Sequence, residues 1–347
     1  DALSDPAAFI VAPGSYKNNR FIKPIGTGPF MLESRIPNNS LILKRNDRYW
    51  QNKAYSEKII IKIVSNSASR MMQIKNGTAD IAKIQYSREW DEFHWFKNVR
   101  LLSTPSLRTH FMTFNTRKFP FSNPEARRAF AYLFNKEILV ALAFQDMATP
   151  AASIIPSQIS GIDESLTNYS YNPQKAQEIL KKARLDKGFT CSLYYMESNP
   201  AVRKIVDLIA RNARNFNIVI KKRPLPLIPL FKAGDNGEHD LLIAGWIGNI
   251  DEYLILSPLL TSTVKSFNWS FYNNPKVNTL LENYCSTFSR KEQKEIILKI
   301  NQVLNHDLPW LPLYHQKNTA VYRDNINNLR FNIWGCLVFK DAYKEKE

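Results

Sequence analysis

Histidine, cysteine and glycine spacing decides whether a chain can do nucleophilic, metal or phosphate chemistry. Five histidines occur, His94, His110, His239, His306 and His315, and none stands at zinc-ligand spacing from another His or Cys. The sequence holds no HExxH, no GxSxG, no P-loop and no GxGxxG. Gly26-Thr27-Gly28 is too short to cradle a phosphate and reads as a turn. Glu238-His239-Asp240 has the composition of an acid–base or partial metal site, but its place ahead of an apolar run makes it a polar turn. Cys191, Cys285 and Cys336 form no CxxC pair, and an odd number cannot all pair within the chain. They read as small buried or half-buried thiols, with one disulfide left open for an oxidising compartment. We therefore expect no catalytic residue, no metal ligand, no cofactor and no enzyme.

Residues that could bind are easier to find. In Gly237 to Glu252 a short apolar strand, Leu241–Ala244, ends at Gly245-Trp246, and a polar loop containing Gly248 and Asn249 follows. Ligands gather at strand ends in α/β layers. Glycine lets a ligand approach the backbone closely, and Trp246 offers an apolar wall with one indole donor. The bland alternative is a buried tryptophan closing a turn.

The formal net charge is +16, with eight Lys/Arg against two acids in residues 17–53 and thirteen against four in residues 175–232. Neither stretch is a continuous basic run, so the charge reads as a solvated surface rather than a nucleic-acid arm. Seven Trp, fifteen Tyr and twenty Phe fall mostly on apolar faces, which favours core packing over base stacking. No run of about 18 apolar residues exists, so no transmembrane helix is expected.

The elements that must position these residues follow from pattern. Phe30–Arg45 reads as a β-hairpin, and Lys58–Val64 as a buried strand. Ser67 is placed to cap a helix running to Lys75 and stopped by Gly77, with Ala79–Ile84 as the next strand. That is a βαβ-sized unit, for which a parallel crossover is the default. Arg108–Asn115 is a strand with Thr109, Phe111 and Thr113 on one face and His110, Met112 and Phe114 on the other. Asn-Pro at 123–124, 172–173, 199–200 and 274–275 each precedes a helical pattern, the first running on to Leu142. Ser289 to Glu292 is a capping box. Asn217–Lys222 and Asp240–Ala244 are further strands, and irregular strands follow Asn318. Strands alternating with helices imply an α/β or mixed fold.

Taken in order, the motifs resemble the extracellular solute-binding proteins of peptide and nickel ABC importers, the dipeptide- and oligopeptide-binding family. Ile25 to Leu32 resembles its GTGPY-x-L segment, and Leu43 to Trp50 its LxRNxxYW. Gln73 to Ile81 resembles L-x-x-G-E-x-D-I, and Phe114-Asn115 through Pro120-Phe121 to Arg128-Ala129 resembles NxxxxPFxxxxxRxA. Asn135-Lys136-Glu137, Asn172 to Ala176 and Gly237 to Trp246 also fit. The resemblance implies an α/β fold, the two-lobed periplasmic-binding-protein clamshell of the peptide-binding class, incomplete at the N-terminus. The family's usual N-terminal part, with its extra domain, has no counterpart here. Residues 1–107 with 316–347 would build the first lobe, in part, and 108–315 the second.

The function implied is that of the substrate-binding component of an ABC importer, capturing a peptide or similar small solute by hinge closure. Its partners would be that solute and the importer's membrane subunits, with no nucleic acid, and the protein would be a monomer. It would sit in the periplasm or at the cell surface, lipid-anchored or soluble, its signal lying outside this chain. By similarity the ligand-binding residues are Arg108, Thr109, Phe111, Thr113, Gly245, Trp246, Ile247 and Asn249. Two other functions fit the same fold: the ligand-sensing domain of a transcription regulator, or a degenerate binding fold used for protein contacts. The family's charged anchors are missing. Asn249 stands where peptide binders carry an Asp for the ligand's ammonium, and Ile243 where oligopeptide binders carry an Arg. The loop Glu197 to Pro200 is short and lacks the Arg of the dipeptide binders. Asp251 and Glu252 are the nearest replacement carboxylates.

Overall fold

A computed structural model describes residues 12–18, 20–85, 87–93, 95–160, 166, 169–248, 251–257 and 267–345. The chain divides into two compact units: residues 1–106 with 318–347 (unit 1), and residues 107–317 (unit 2).

Unit 1 begins with the paired strands β1 (Tyr16–Lys17) and β2 (Arg20–Phe21). An antiparallel sheet of β3 (Phe30–Ile36), β4 (Ser40–Arg45) and β5 (Lys58–Lys62) follows. Then come α1 (Ser67–Lys75), β6 (Ile81–Lys83), α2 (Ser87–Asp91) and the first half of β7 (Val99–Phe114). The hairpin β3–β4 turns at Asn38, which takes a positive φ of 57°, a conformation asparagine tolerates. The predicted strand at Lys58 is β5, but it is not buried: Ile60 and Ile61 are 59% and 37% exposed. No residue of β3, β4 or β5 is buried, so this sheet has apolar side chains on it without a core beneath. The expected βαβ crossover is also absent, because β6 pairs antiparallel with β12 (Trp310–Arg323) and β5 belongs to another sheet. The cap of α1 is Asn66 rather than Ser67; its side chain accepts from the Ser69 amide.

Unit 2 carries α3 (Pro124–Ala131), α4 (Lys136–Phe144), β8 (Ala148–Pro150), α5 (Ser157–Ser160), α6 (Pro173–Lys182) and β9 (Phe189–Met196). It continues with α7 (Pro200–Arg214), β10 (Ile218–Leu225), α8 (Leu227–Asp235), β11 (Leu241–Ile247), α9 (Glu252–Leu256), α10 (Pro275–Ser286) and α11 (Arg290–Asp307). The chain returns to unit 1 along β12 and ends in two short antiparallel pairs. These join β13 (Ile326–Asn327) to β16 (Tyr343–Lys344), and β14 (Arg330–Phe331) to β15 (Leu337–Val338).

All four Asn-Pro pairs behave as the capping argument requires: Asn123, Asn172, Asn199 and Asn274 each accept a backbone amide with their side chain, and proline opens the helix. Ser289 likewise caps α11 by accepting from Glu292 N. The helix expected from Pro124 to Leu142 is two helices, because Asn135 accepts from Ile138 N and starts α4 afresh.

The sheet of unit 2 runs β10-β9-β11-β7-β12, with β8 also on β12. β9, β10 and β11 are parallel, and β11 meets β7 antiparallel. Core lies on both of its faces. On one, Phe111 stacks on Trp310 at 4.6 Å, among Leu242, Leu230, Ile255 and Leu304. On the other, Phe114, Phe121, Phe130 and Phe134 form a chain of tilted and edge-to-face rings. The amphipathic α7 buries Val202, Ile205, Val206, Ile209 and Ala213. Asn199 holds the start of α7 through two amides, Ala201 N at 3.1 Å and Val202 N at 3.2 Å. Replacing Asn199 with Ala should lower unfolding free energy by about 1 kcal/mol. Urea denaturation checks this, and an unchanged midpoint would show the cap to be idle.

Candidate functional site

The antiparallel register places the predicted binding residues opposite one another. Ile247 lies against Arg108, Trp246 against Thr109, Gly245 against His110 and Ala244 against Phe111. Opposed residues share a face. Thr109, Phe111, Thr113 and Trp246 therefore point to one side, and Arg108, His110, Gly245 and Ile247 to the other. Burial separates the two groups. Thr109, Phe111 and Thr113 are 2%, 4% and 0% exposed, within the packed layer. Trp246 is half-buried against that layer and meets Phe267 edge-on at 5.4 Å. It lies inside β11, which extends to Ile247, three residues beyond the predicted end at Ala244. Arg108, Gly245 and Ile247 are exposed. Asn249 lies outside the described residues.

The exposed face forms a ledge where β11 ends and the unit 2 part of β7 begins. Arg108 and Ile247 are its outer pair, His110 and Gly245 the inner one. Gly245 is there for room: a Cβ on it would stand 2.6 Å from His110 Cε1. The His110 ring cannot easily withdraw, because it stacks on Tyr314 at 4.5 Å and 11°, and Tyr314 packs on Phe144 at 4.4 Å. From β12, Gln316 receives a long hydrogen bond of 3.5 Å from the Arg108 guanidinium.

Beside the ledge, the Thr109 hydroxyl donates to the Ile154 carbonyl at 2.8 Å. Its single proton is spent there, so His315 Nδ1, 2.9 Å away, is the donor to Thr109 Oγ1. His110, His239 and His315 are each held down at about 4, burial being the largest cause. Arg108 lowers His110 further, and Lys136 lowers His315. His239, the centre of the Glu-His-Asp triplet, is fully buried and bonded through Nε2 to the Trp269 carbonyl at 2.9 Å. It is a core histidine. The described residues hold no group of three His, Cys, Asp or Glu that could bind a metal, and Cys191, Cys285 and Cys336 are free thiols.

The two replacement carboxylates are engaged elsewhere. Glu252 is 1% exposed, 3.2 Å from Arg290 Nη1 and 3.2 Å from the Tyr284 hydroxyl. Asp251 Oδ1 accepts from Tyr253 N at 2.9 Å and lies 3.3 Å from the same hydroxyl. Ile243, where the oligopeptide binders carry an arginine, is 3% exposed and paired with Met112. A cavity inside unit 2, lined by Lys136, Tyr169, Asn301 and Trp310, measures about 30 Å³, enough for one or two waters. Lys136 donates to the Ala151 carbonyl at 2.7 Å, and burial lowers its amine to about 8.

Sequence reasoning missed His110 and Gln316 as members of the ledge. The motif at Gly245-Trp246 marks one strand, but only the register reveals which residue of β7 lies against each glycine.

The family model for bacterial extracellular solute-binding proteins, family 5 Middle, matches residues 2–267. The chain belongs to that family. It is 25% identical over 304 residues to heme-binding protein A of Haemophilus influenzae, covering 86% of this chain and 56% of that protein. It is 26% identical over 340 residues to glutathione-binding protein GsiB of Escherichia coli strain K12, covering 93% of this chain and 66% of that one. The periplasmic binding protein DppA of Helicobacter pylori, solved with the peptide STSA, superposes with a TM-score of 0.75 at 24% identity, over 93% of this chain and 64% of that one. HbpA2 of Haemophilus parasuis gives a TM-score of 0.83 at 22% identity, over 93% and 65%. The fold is therefore that of the family 5 periplasmic binding proteins, and the chain spans roughly three-fifths of its relatives' length.

Two predictions follow from the ledge and its histidines. Gly245→Ala forces a methyl group into the stacked His110 ring and should cost about 1–3 kcal/mol, read as a lower melting temperature. The pH effect has a definite sign. An unfolded histidine titrates near 6.5, so between about pH 6.5 and pH 4 the unfolded chain binds protons that the folded one refuses. Stability should be full above pH 6.5 and decline as the pH falls toward 4. Urea midpoints at pH 7.5, 5.5 and 4.5 should fall in that order; equal midpoints would mean the rings protonate in place.

Proposed function

We propose that this protein is the substrate-binding component of an ABC importer, capturing a peptide or similar small solute by closure of its two units. The observation that carries this is the family match over residues 2–267 together with an exposed ledge built at the strand ends β7 and β11. The relatives bind heme, glutathione or peptides by name, which supports a small solute without fixing its kind. On this reading Arg108, Thr109, Phe111, Thr113, Gly245, Trp246, Ile247 and Asn249 belong to the binding region. The exposed members touch ligand, and the buried ones, Thr109, Phe111 and Thr113, hold the strand that presents them.

The two chain crossings between units fall in β7 and β12, neighbouring strands, which suits a hinge of two segments. The protein works as a monomer in the periplasm or at the cell surface, delivering to the importer's membrane subunits. Binding makes and breaks no bond, so no catalytic group is required. Isothermal calorimetry against a peptide library and a panel of small metabolites tests the reading. We expect one class of solute to bind with micromolar or tighter affinity. Silence across both collections would remove the transport role, and binding of a non-peptide alone would remove the peptide.

A further inference from the structure

A group of cations gathers at one end of the unit 2 sheet. Lys181, Lys182, Arg184 and Lys187 lie at the end of α6 and in the loop that leads to β9, and Arg211 and Arg214 lie in the last turn of α7. All of them are exposed. The two stretches meet where β9 and β10 begin. Phe189 pairs with Ile218, and a Cβ on Gly188 would stand 2.1 Å from the Asn217 carbonyl oxygen. Phe216, just after α7, lines one hollow with Glu178 and Lys181. The acids of residues 178–188 and 211–217 are Glu178 and Asp186 alone. The ion pairs of unit 2 lie elsewhere, as in Lys222 with Asp207 and Arg128 with Glu125. Among the described residues none of these cations joins one.

A cation in the last turn of a helix is ordinary, because it meets the negative end of the helix dipole. That account does not cover Arg184. It follows Ala183, the cap of α6, and completes a Schellman motif: Leu185 N donates to the Leu180 carbonyl, and Arg184 N to the Lys181 carbonyl. Its φ is 58°, in the left-handed region that glycine normally fills in this motif. The chain thus keeps a long cationic side chain where the backbone favours none. The strands add a direction. β9 and β11 are parallel, with Leu241 opposite Leu193. Ile247, at the end of β11, therefore lies roughly 30 Å along the strands from Phe189, at the start of β9. We propose that the cationic end of unit 2 docks on a bilayer surface of acidic phospholipids, leaving the ledge at the opposite end of the sheet open to solvent. Clustered Lys and Arg are what such a surface attracts. Nucleic acid fits less well: the one aromatic residue in residues 178–188 and 211–217, Phe216, is 8% exposed and offers no ring for a base to stack on.

Co-sedimentation with vesicles tests this, using equal parts phosphatidylglycerol and phosphatidylcholine in one arm and phosphatidylcholine alone in the other. The 347-residue protein should bind the anionic vesicles about tenfold more tightly or better at low salt, and lose that advantage as sodium chloride is raised. A triple variant, Lys182→Gln with Arg184→Gly and Lys187→Gln, should bind them about tenfold more weakly or worse. A control variant removes the same charge from exposed lysines of α11, as Lys291→Gln, Lys294→Gln and Lys299→Gln, and should bind as the parent does. Arg184→Gly alone should melt no lower than the parent, because glycine suits a φ of 58°, so weaker binding is not misfolding. Equal binding to both kinds of vesicle, or no binding to either, would overturn the proposal. So would an equal loss in the two triple variants, which would make net charge rather than this patch the cause. Displacement by inorganic phosphate beyond that by sodium chloride at equal ionic strength would mean a free-phosphate site, and tighter binding to a single-stranded oligonucleotide would mean nucleic acid; either result ends it. Solute capture is judged separately by the calorimetry panels, and it stands or falls without this patch.

Discussion

Seven consecutive Cα partners, from Leu241 against Phe114 to Ile247 against Arg108, tie β11 to β7. Side chains alternate along a strand with period two, so a one-residue slip would exchange the two faces of the sheet. Leu242 would leave the core it shares with Phe111 and Trp310, and a side chain rather than Gly245 would meet the His110 ring. Arg108 and Ile247 would no longer stand as a pair. The aromatic layers on both sides penalise that slip, and so they hold the ledge in register as well as supplying core.

The same pairing explains the odd composition of the ledge. A glycine facing a histidine in mid-sheet is poor strand chemistry, since glycine packs nothing and weakens a strand. Here the ring fills the space that a side chain would take, to within 2.6 Å of a hypothetical Cβ. Burial keeps that ring neutral, so it contributes shape and no charge to the surface beside Arg108. A site with one exposed cation and an adjacent neutral ring is electrostatically simpler than one with two competing titratable groups.

Much of this was legible in the sequence, for reasons that differ by element. The Asn-Pro caps were readable because capping is local: the amide that Asn199 or Asn274 accepts lies within three residues. The capping box at Ser289 is equally local. The break between α3 and α4 was hidden because Ala129, Phe130, Leu133 and Phe134 keep helical spacing across it, and all four are buried on either side. The strand at Lys58 was misjudged as buried because β-branched residues signal a strand and not what covers it. The ledge was half legible. Gly245 and Trp246 stood out by type, but His110 and Gln316 join them through pairings more than a hundred residues apart in sequence. Asp251 and Glu252 looked available only because Tyr284 and Arg290, which hold them, are distant in the chain.

Unit 2 is nested within unit 1: the chain enters it along β7, leaves it along the neighbouring β12, and only then completes the first unit. During synthesis from the N-terminus, all of unit 2 emerges before residue 318, and it can fold as it appears. Unit 1 cannot. β6 must wait for Ala320 to Tyr322, and β13 must wait for β16, close to the last described residue. The nascent protein thus spends the making of unit 2 with an unfinished unit 1, whose three-stranded sheet already shows its isoleucines to solvent. Until residue 318 has been made, β6 and β13 lack the strands that pair with them in the finished chain.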